Sequence, residues 1–427
     1  MTKETIRRID VLIGSVLCFL LTLHRRIVDL ARGPDTVAPP LQKILFLKLI
    51  EQGATVLAAP AIRDAVARVG RENVYFMVFR ENRPILDILG LVPPENVIEV
   101  RHDQLARFVA DVLRALSRIR SEGIDTVIDM EFLARAPAIL AYLTGAARRV
   151  GLHRFTSEGP YRGDLMTHRV QHNPYLHTSV AYALLVGALD LDPSDLPLSK
   201  VDAPRPDDAT RARFTPSEAE RARVRGLLER ALPTRDLSRQ RIVLLNPNTG
   251  DLLPIRMWQK ERFIELGRRI LRDNSNAVIV ITGAPSERDG AEAVCKAIGS
   301  ERAASVAGAT TLRDVLVLYT LADVLVTNDS GPGHFASMTD IDNVVLFGPE
   351  TPQLFGPLGE RRHVVWAELA CSPCVSPYNH RFSPCTNNRC MQAITVDTVY
   401  ERVARALAGR PPLAQESLPT EERSPPA

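Results

Sequence analysis

At 427 residues the chain is too long for one ordinary domain and suits two α/β domains with appendages. It is 45% hydrophobic and 24% charged, the composition of a folded protein, and its formal net charge is only +3. That mild balance, with no basic run interleaved with aromatics, speaks against a nucleic-acid binder and is compatible with an anionic substrate or an acidic membrane surface.

The first element is an apolar stretch, Val11 to Leu23, flanked by Lys3, Arg7 and Arg8 before it and Arg25, Arg26 and Arg32 after it. Its 13 positions fall short of the roughly 20 needed to cross a bilayer core, and no small-residue cleavage site follows closely. Residues 1–35 therefore read as a helix lying in the cytoplasmic leaflet, which would make the protein peripheral on the inner face of the membrane, or as a soluble helix packed on the first domain. A breaker-rich linker, RGPDTVAPP from Arg32 to Pro40, follows.

Residues 41–200 alternate strand and helix. Lys43 to Lys48, Asn73 to Phe79, Asn96 to Val100 and Thr126 to Asp129 read as strands. Thr55 to Val69, Arg83 to Leu89, Gln104 to Ser121 and Ala134 to Leu143 read as the intervening helices. Continuous apolar strands alternating with helices predict a mostly parallel sheet covered on both faces. Residues 201–240 are a proline-punctuated connector carrying a charged helix, Pro216 to Ala231. Residues 241–410 repeat the alternation, with strands at Ile242 to Leu245, Ala277 to Ile281, Asp323 to Thr327 and Asn343 to Phe347, so the expected fold is α/β with two doubly wound domains. The tail, 411–427, is rich in Pro, Ser and Glu and predicts disorder.

The strongest candidate site is Asn-Asp-Ser-Gly-Pro-Gly-His334, where a strand ends, a tight turn follows and a helix begins near Phe335. Ligands bind beyond the carboxyl ends of such strands, and a helix N-terminus favours phosphate. Gly331 and Gly333 permit close backbone approach, Ser330 adds a hydroxyl, and His334 can donate to a phosphate or sugar. The bland alternative is a plain turn with Asp329 as helix cap. Three further loops end strands of the same sheet: Asn246 to Trp258, with Arg256 able to pair with a diphosphate; Thr282 to Glu287, with Glu287 able to accept from ribose hydroxyls; and Gly348 to Thr351. Together they predict a nucleotide-diphosphate pocket.

Cys371, Cys374, Cys385 and Cys390 fall within one twenty-residue stretch with Pro373, Pro377 and Pro384 between them. They read as a structural zinc site or as free thiols, since a reducing cytoplasm does not preserve disulfides. His153, His168, His172 and His177, with Arg149 and Arg154, either line an anionic acceptor pocket or belong to a polar loop.

The donor-side motif, together with Val306-Ala-Gly308, Thr311-Leu-Arg and Phe347-Gly-Pro…Thr351-Pro, resembles glycosyltransferase family 9, whose best-known members are ADP-heptose:lipopolysaccharide heptosyltransferases. Asp125-Thr-Val-Ile-Asp129, Arg135 and Thr144 to Gly151 resemble that family's acceptor side, and the resemblance runs from Lys43 to Leu407. It implies a GT-B architecture, two Rossmann-like domains facing a cleft. It also implies inverting transfer without a metal or other cofactor, from an ADP-heptose-like donor to a glycolipid or phosphorylated-sugar acceptor. Arg256, Glu287, Asp329, Ser330, Gly331, Gly333 and His334 would hold the donor, and Arg135, Arg149 and Arg154 the acceptor. One departure stands out. The family's first strand is followed by Gly-Asp, whose Asp is the presumed base; here the pair is Gly53-Ala54. Glu51, three residues earlier in the same loop, Asp129 or Glu131 are the candidate replacements, and a catalytically degenerate nucleotide-sugar binder is the alternative. An oxidoreductase is disfavoured because no G-x-G-x-x-G follows the first strand of either domain.

Overall fold

A computed structural model describes residues 3–32, 39–157, 159–198, 200–202, 210–250, 253–379 and 381–413. Most of the linker before residue 40, residues 203–209 of the connector and the tail beyond 413 lie outside the described residues. The chain forms two compact units: Met1–Thr210 with Ser376–Phe382, and Arg211–Val375 with the residues after 382.

Unit 1 opens with α1 (Lys3–Arg32) and continues as β1 (Ile44–Leu47), α2 (Gln52–Val69), β2 (Val74–Phe79), α3 (Arg83–Leu89), β3 (Val97–Val100), α4 (Leu105–Ser121), β4 (Thr126–Asp129), α5 (Arg135–Leu143), β5 (Arg148–His153), β6 (His168–Gln171) and α6 (Thr178–Gly187). Its six strands are parallel in the order β3-β2-β1-β4-β5-β6. β1 is buried at all four positions because it lies mid-sheet with both faces covered.

Unit 2 comprises α7 (Glu218–Ala231), β7 (Arg241–Asn246), α8 (Lys260–Asp273), β8 (Ala277–Ile281), α9 (Arg288–Ile298), β9 (Ala303–Ser305), α10 (Leu312–Leu321), β10 (Val324–Asn328), α11 (Gly331–Ala336), β11 (Asp342–Phe347), α12 (Pro352–Phe355), β12 (Arg362–Trp366), α13 (Arg389–Gln392) and α14 (Val396–Leu407). Its sheet, again parallel, runs β12-β11-β10-β7-β8-β9. Counted from each unit's own first strand, both sheets have the 3-2-1-4-5-6 order of a Rossmann fold. Phe263, Leu266 and Ile270 on α8 recur at helical spacing and close the core over β7 and β8.

Four strands escape the sequence pattern: β5, β6, β9 and β12. Three are sheet edges and β5 adjoins one, so their exposed positions are polar and the continuous apolar signal is lost. Arg148, Arg149 and His153 lie on β5 and His168 on β6, rather than in one polar loop. The charged helix expected in the connector belongs to unit 2. Ser217 and Glu220 form a capping box at its start, Val224 and Leu228 are its buried residues, and it packs on α10.

α1 is longer than the apolar run Val11 to Leu23. Asp10–Ala31 is a continuous helical stretch of 22 residues with mean hydropathy 1.8, long and apolar enough to cross a membrane. One stripe of it is docked on unit 1. Cys18 and Thr22 are buried there, and a side chain at Gly163 would come within 2.6 Å of the Cys18 carbonyl. Asp10 accepts the N–H groups of Arg135 and Ala136 at the start of α5, and Arg25 pairs with Asp164 at 2.9 Å. The opposite face leaves Leu12, Val16, Phe19, Leu20, Leu23 and Ile27 exposed.

Candidate functional site

In a doubly wound sheet the crevice opens where strand order reverses, beside the carboxyl ends of the first and fourth strands. In unit 2 these are β7 and β10. The buried Asn328 amide at the end of β10 accepts the Trp258 N–H at 2.9 Å and donates to the Asn248 carbonyl at 3.1 Å. Asn248 in turn donates to the Thr282 carbonyl at 3.3 Å. One asparagine pair thus pins the loops after β7 and β8 to β10.

The same staple fixes Arg256, on the short 3-10 turn Pro254–Arg256. Its Nη1 donates to Glu350 at 3.0 Å and to Asp329 at 3.4 Å. All three side chains are buried, with the carboxylates 2% exposed. Burial, and then the neighbouring Asp329 charge, push the Glu350 carboxyl up to about 8, against the pull of Arg256. Burial raises Asp329 too. Two acids packed on one guanidinium retain a proton near neutral pH more readily than either would alone.

Beside this triad lies a cavity of about 340 Å³. Of the expected donor residues, Ser330, Gly331 and Glu287 line it, with Asn248 and Thr249 from the loop after β7. Glu287 also accepts the Ala284 N–H at 2.8 Å, which holds that loop in shape. Arg256, Asp329, Gly333 and His334 are not on its wall. Gly333 has a packing reason to be small: a Cβ there would sit 3.3 Å from Val345 on β11. α11 begins at Gly331, four residues before the expected helix start, and is only six residues long. Its dipole is correspondingly weak. Glu350 was visible in the strand-end loop Gly348 to Thr351, but nothing in the sequence marked it as the partner of Arg256.

In unit 1 the corresponding strands are β1 and β4. Lys48, 1% exposed, donates to the Ile50 carbonyl at 2.7 Å and to Glu131 at 3.1 Å. The other Glu131 oxygen accepts the N–H groups of Leu49 and Ile50 at 2.7 and 3.1 Å, tying the loop after β4 to the loop after β1. Glu51 stands at the start of α2 with φ 72° and ψ 87°, a left-handed conformation that strains a residue with a side chain. One of its carboxylate oxygens meets Arg381, and the other lies 3.8 Å from Lys48. Arg381 reaches unit 1 from the distant segment Ser376–Phe382. Asp129 is fully buried and paired with Arg162, and burial still lifts its carboxyl to about 6.

The acceptor-side arginines each make contacts within unit 1. Arg135 pairs with Asp10, and Arg149 donates to the carbonyls of Leu165 and Ala146 and lies over the Tyr142 ring. Arg154 lies over Tyr161 and donates to the Gly159 carbonyl at 3.4 Å. Burial depresses His153, His168 and His172 to about 4, so they are neutral at pH 7 and add no cationic charge; His177 caps α6. Cys371 is exposed, Cys374 and Cys385 are half-buried and Cys390 is buried, all as thiols. Among the described residues no group of three His, Cys, Asp or Glu side chains gathers as a metal site.

The solved structure titled E. coli ADP-heptose lps heptosyltransferase II superposes with a TM-score of 0.66 at 17% identity, covering 86% of this chain and 99% of that one. A glycosyl transferase family 9 protein from Veillonella parvula gives 0.66 at 16% identity, covering 88% and 100%. These likenesses establish the fold, the two-Rossmann-domain GT-B class. In sequence, lipopolysaccharide heptosyltransferase 2 of Salmonella typhimurium is 29% identical over 115 residues and that of Escherichia coli 26% over 115. Each alignment covers 26% of this chain and 32% of the relative, so the match spans about a third of the relatives' length. The sequence pattern of glycosyltransferase family 9 (heptosyltransferase) matches residues 112–381, more than half of the protein, and the chain belongs to that family.

Proposed function

We propose that the protein is an inverting, metal-independent glycosyltransferase that moves a heptose-type sugar from a nucleoside-diphosphate donor to a lipopolysaccharide-type glycolipid acceptor. The observation that carries this reading is the unit 2 crevice, where a cavity with polar loop ends adjoins Arg256 held between Asp329 and Glu350. The donor diphosphate sits against the loops after β7 and β10. Arg256 and backbone N–H groups meet its charge, the role a divalent ion plays elsewhere. Related solved structures are titled as complexes with ADP and an ADP-heptose analogue, which favours ADP-heptose as donor.

Glu51 serves as the base. It removes the proton of the acceptor hydroxyl as that oxygen attacks the anomeric carbon and the bond to the diphosphate breaks, inverting the configuration. Asp129, without solvent access and committed to Arg162, is the weaker candidate. Ala54 favours a second reading, a nucleotide-sugar binder that has lost turnover. A thermal-shift panel of nucleotide sugars tests the donor, since a true donor stabilises the folded state by mass action. A flat response to ADP-heptose overturns that assignment, and binding without transfer or hydrolysis favours the degenerate reading.

α1 supports a peripheral position on the inner face of the membrane. Its polar clamps to unit 1, Asp10 on α5 and Arg25 on Asp164, would be torn out or drawn into hydrocarbon if the helix spanned the bilayer. Lying flat, it keeps both clamps and offers its apolar face to the leaflet.

A further inference from the structure

Two helices of unit 1 leave large apolar side chains on the surface. Among the described residues, twelve of the sixteen exposed large hydrophobic side chains lie on α1 and α4. Those of α4 are Leu105, Val109 and Leu113, which are 60%, 46% and 61% exposed. They stand one helical turn apart and so form a row. A single exposed leucine is ordinary; a contiguous apolar row marks an interaction surface. α1 and α4 cover the same face of the sheet: Cys18 of α1 and Ala115 and Ile119 of α4 share one core with Leu45 and Leu47, alternate residues of β1. α5 lies between them. The His24 ring of α1 meets the Tyr142 hydroxyl at 2.7 Å, and Arg120 of α4 donates to the Leu143 carbonyl. Arg120 is two turns beyond Leu113 on the same flank, so the row runs along the side of α4 turned toward α5 and α1.

We propose that the Leu105–Val109–Leu113 row of α4 is a second membrane contact, which together with α1 docks unit 1 on an anionic lipid leaflet. The proposal rests on the peripheral reading of α1 and extends it to a separate element. Charge favours lipid over a second copy of the chain. α1 carries six Lys or Arg against three acids, and residues 101–122 carry five Arg against three acids, whereas the rest of the chain is net negative. Arg107, Arg114 and Arg120 are exposed on α4 itself. Two copies of such a cationic face repel each other, while an anionic leaflet draws the face in and then takes up its apolar side chains. Leu105 is the first residue of α4, so the row starts just beyond the carboxyl end of β3, the sheet end at which the unit 1 crevice opens. Docking through α4 brings that crevice to headgroup level, where a membrane-held glycolipid presents its sugar.

The test is co-sedimentation of the full chain with phosphatidylethanolamine vesicles containing phosphatidylglycerol, as wild type and as the triple variant Leu105→Ser, Val109→Ser, Leu113→Ser. The triple variant should bind roughly tenfold more weakly or worse. Its Tm should match the wild type, because the three side chains are exposed in the free protein, which separates lost docking from damaged folding. Leu113→Ser alone, at the most exposed position of the row, should show a smaller loss in the same direction. Unchanged binding in the α4 variants, with binding lost when the exposed apolar face of α1 is changed to serine, overturns the proposal alone and leaves α1 as the sole anchor. A wild-type dimer in light scattering that the α4 triple variant breaks assigns the row to a second copy and also overturns it. If the wild type binds no vesicle, the peripheral reading falls and the proposal with it.

Discussion

The two crevices share a topology but not a charge balance. In unit 1, Asp129, Glu131 and Glu51 are each met by a cation from Arg162, Lys48 and Arg381. In unit 2, Asp329 and Glu350 both converge on Arg256, and Glu350 stays protonated to about pH 8. Interleaving three acids with three cations fixes each carboxylate, Glu51 in its strained pose included. Two acids on one guanidinium make a network that changes protonation when an anion competes for that guanidinium. The first arrangement fixes its carboxylates, and the second responds to an anion.

The sharpest test is Glu51→Gln. It should lower turnover roughly 10²–10⁴-fold while leaving donor affinity unchanged. An unchanged rate would return the base to Asp129 or Glu131.

Next come the two buried arginines. Arg162→Met strands Asp129, and Arg256→Met strands Asp329 and Glu350. Each should cost about 3–5 kcal/mol in urea unfolding, because a buried acid loses its cation. Only Arg256→Met should also weaken nucleoside-diphosphate binding. Equal loss of binding in both variants would erase the division of labour between the units.

The pH dependence gives a smaller effect. Glu350 has a higher pKa folded than unfolded, so between about pH 4.5 and pH 8 the native state binds the extra proton and Glu350 lowers stability progressively as pH rises. In Glu350→Gln the Tm should therefore fall less between pH 5 and pH 8, by about 2–4 °C for each kcal/mol removed. Parallel Tm profiles for variant and wild type would mean that Glu350 is ionised throughout.

The smallest change in stability belongs to α1. Serine at Leu12, Val16 or Phe19 should alter folding stability by no more than about 0.5 kcal/mol each, since these side chains are exposed. The triple variant should nonetheless lose co-sedimentation with anionic vesicles. Retained binding would remove α1 as the anchor.

Much of this was legible from the residues. Mid-sheet strands are continuous apolar runs, so β1, β4, β7, β8, β10 and β11 announce themselves, and the Asn328 to His334 turn marks the crevice. Edge strands β6, β9 and β12 do not, because each is short and none is a continuous apolar run. The sequence also placed Glu51 in the loop after β1 and Arg256 in the loop after β7.

Only the tertiary structure could show who pairs with whom. Arg256 and Glu350 are 94 residues apart, Glu51 and Arg381 far more, and ion pairs at such separations leave no local pattern. Acceptor-side arginines looked identical to ligand-binding ones in sequence. In the structure Arg135 pairs with Asp10, and Arg149 donates to the Leu165 and Ala146 carbonyls. Local chemistry thus determined the elements and the crevice-forming turn. Long-range packing decided which charges are compensated and which carboxyls are pushed toward the protonated form.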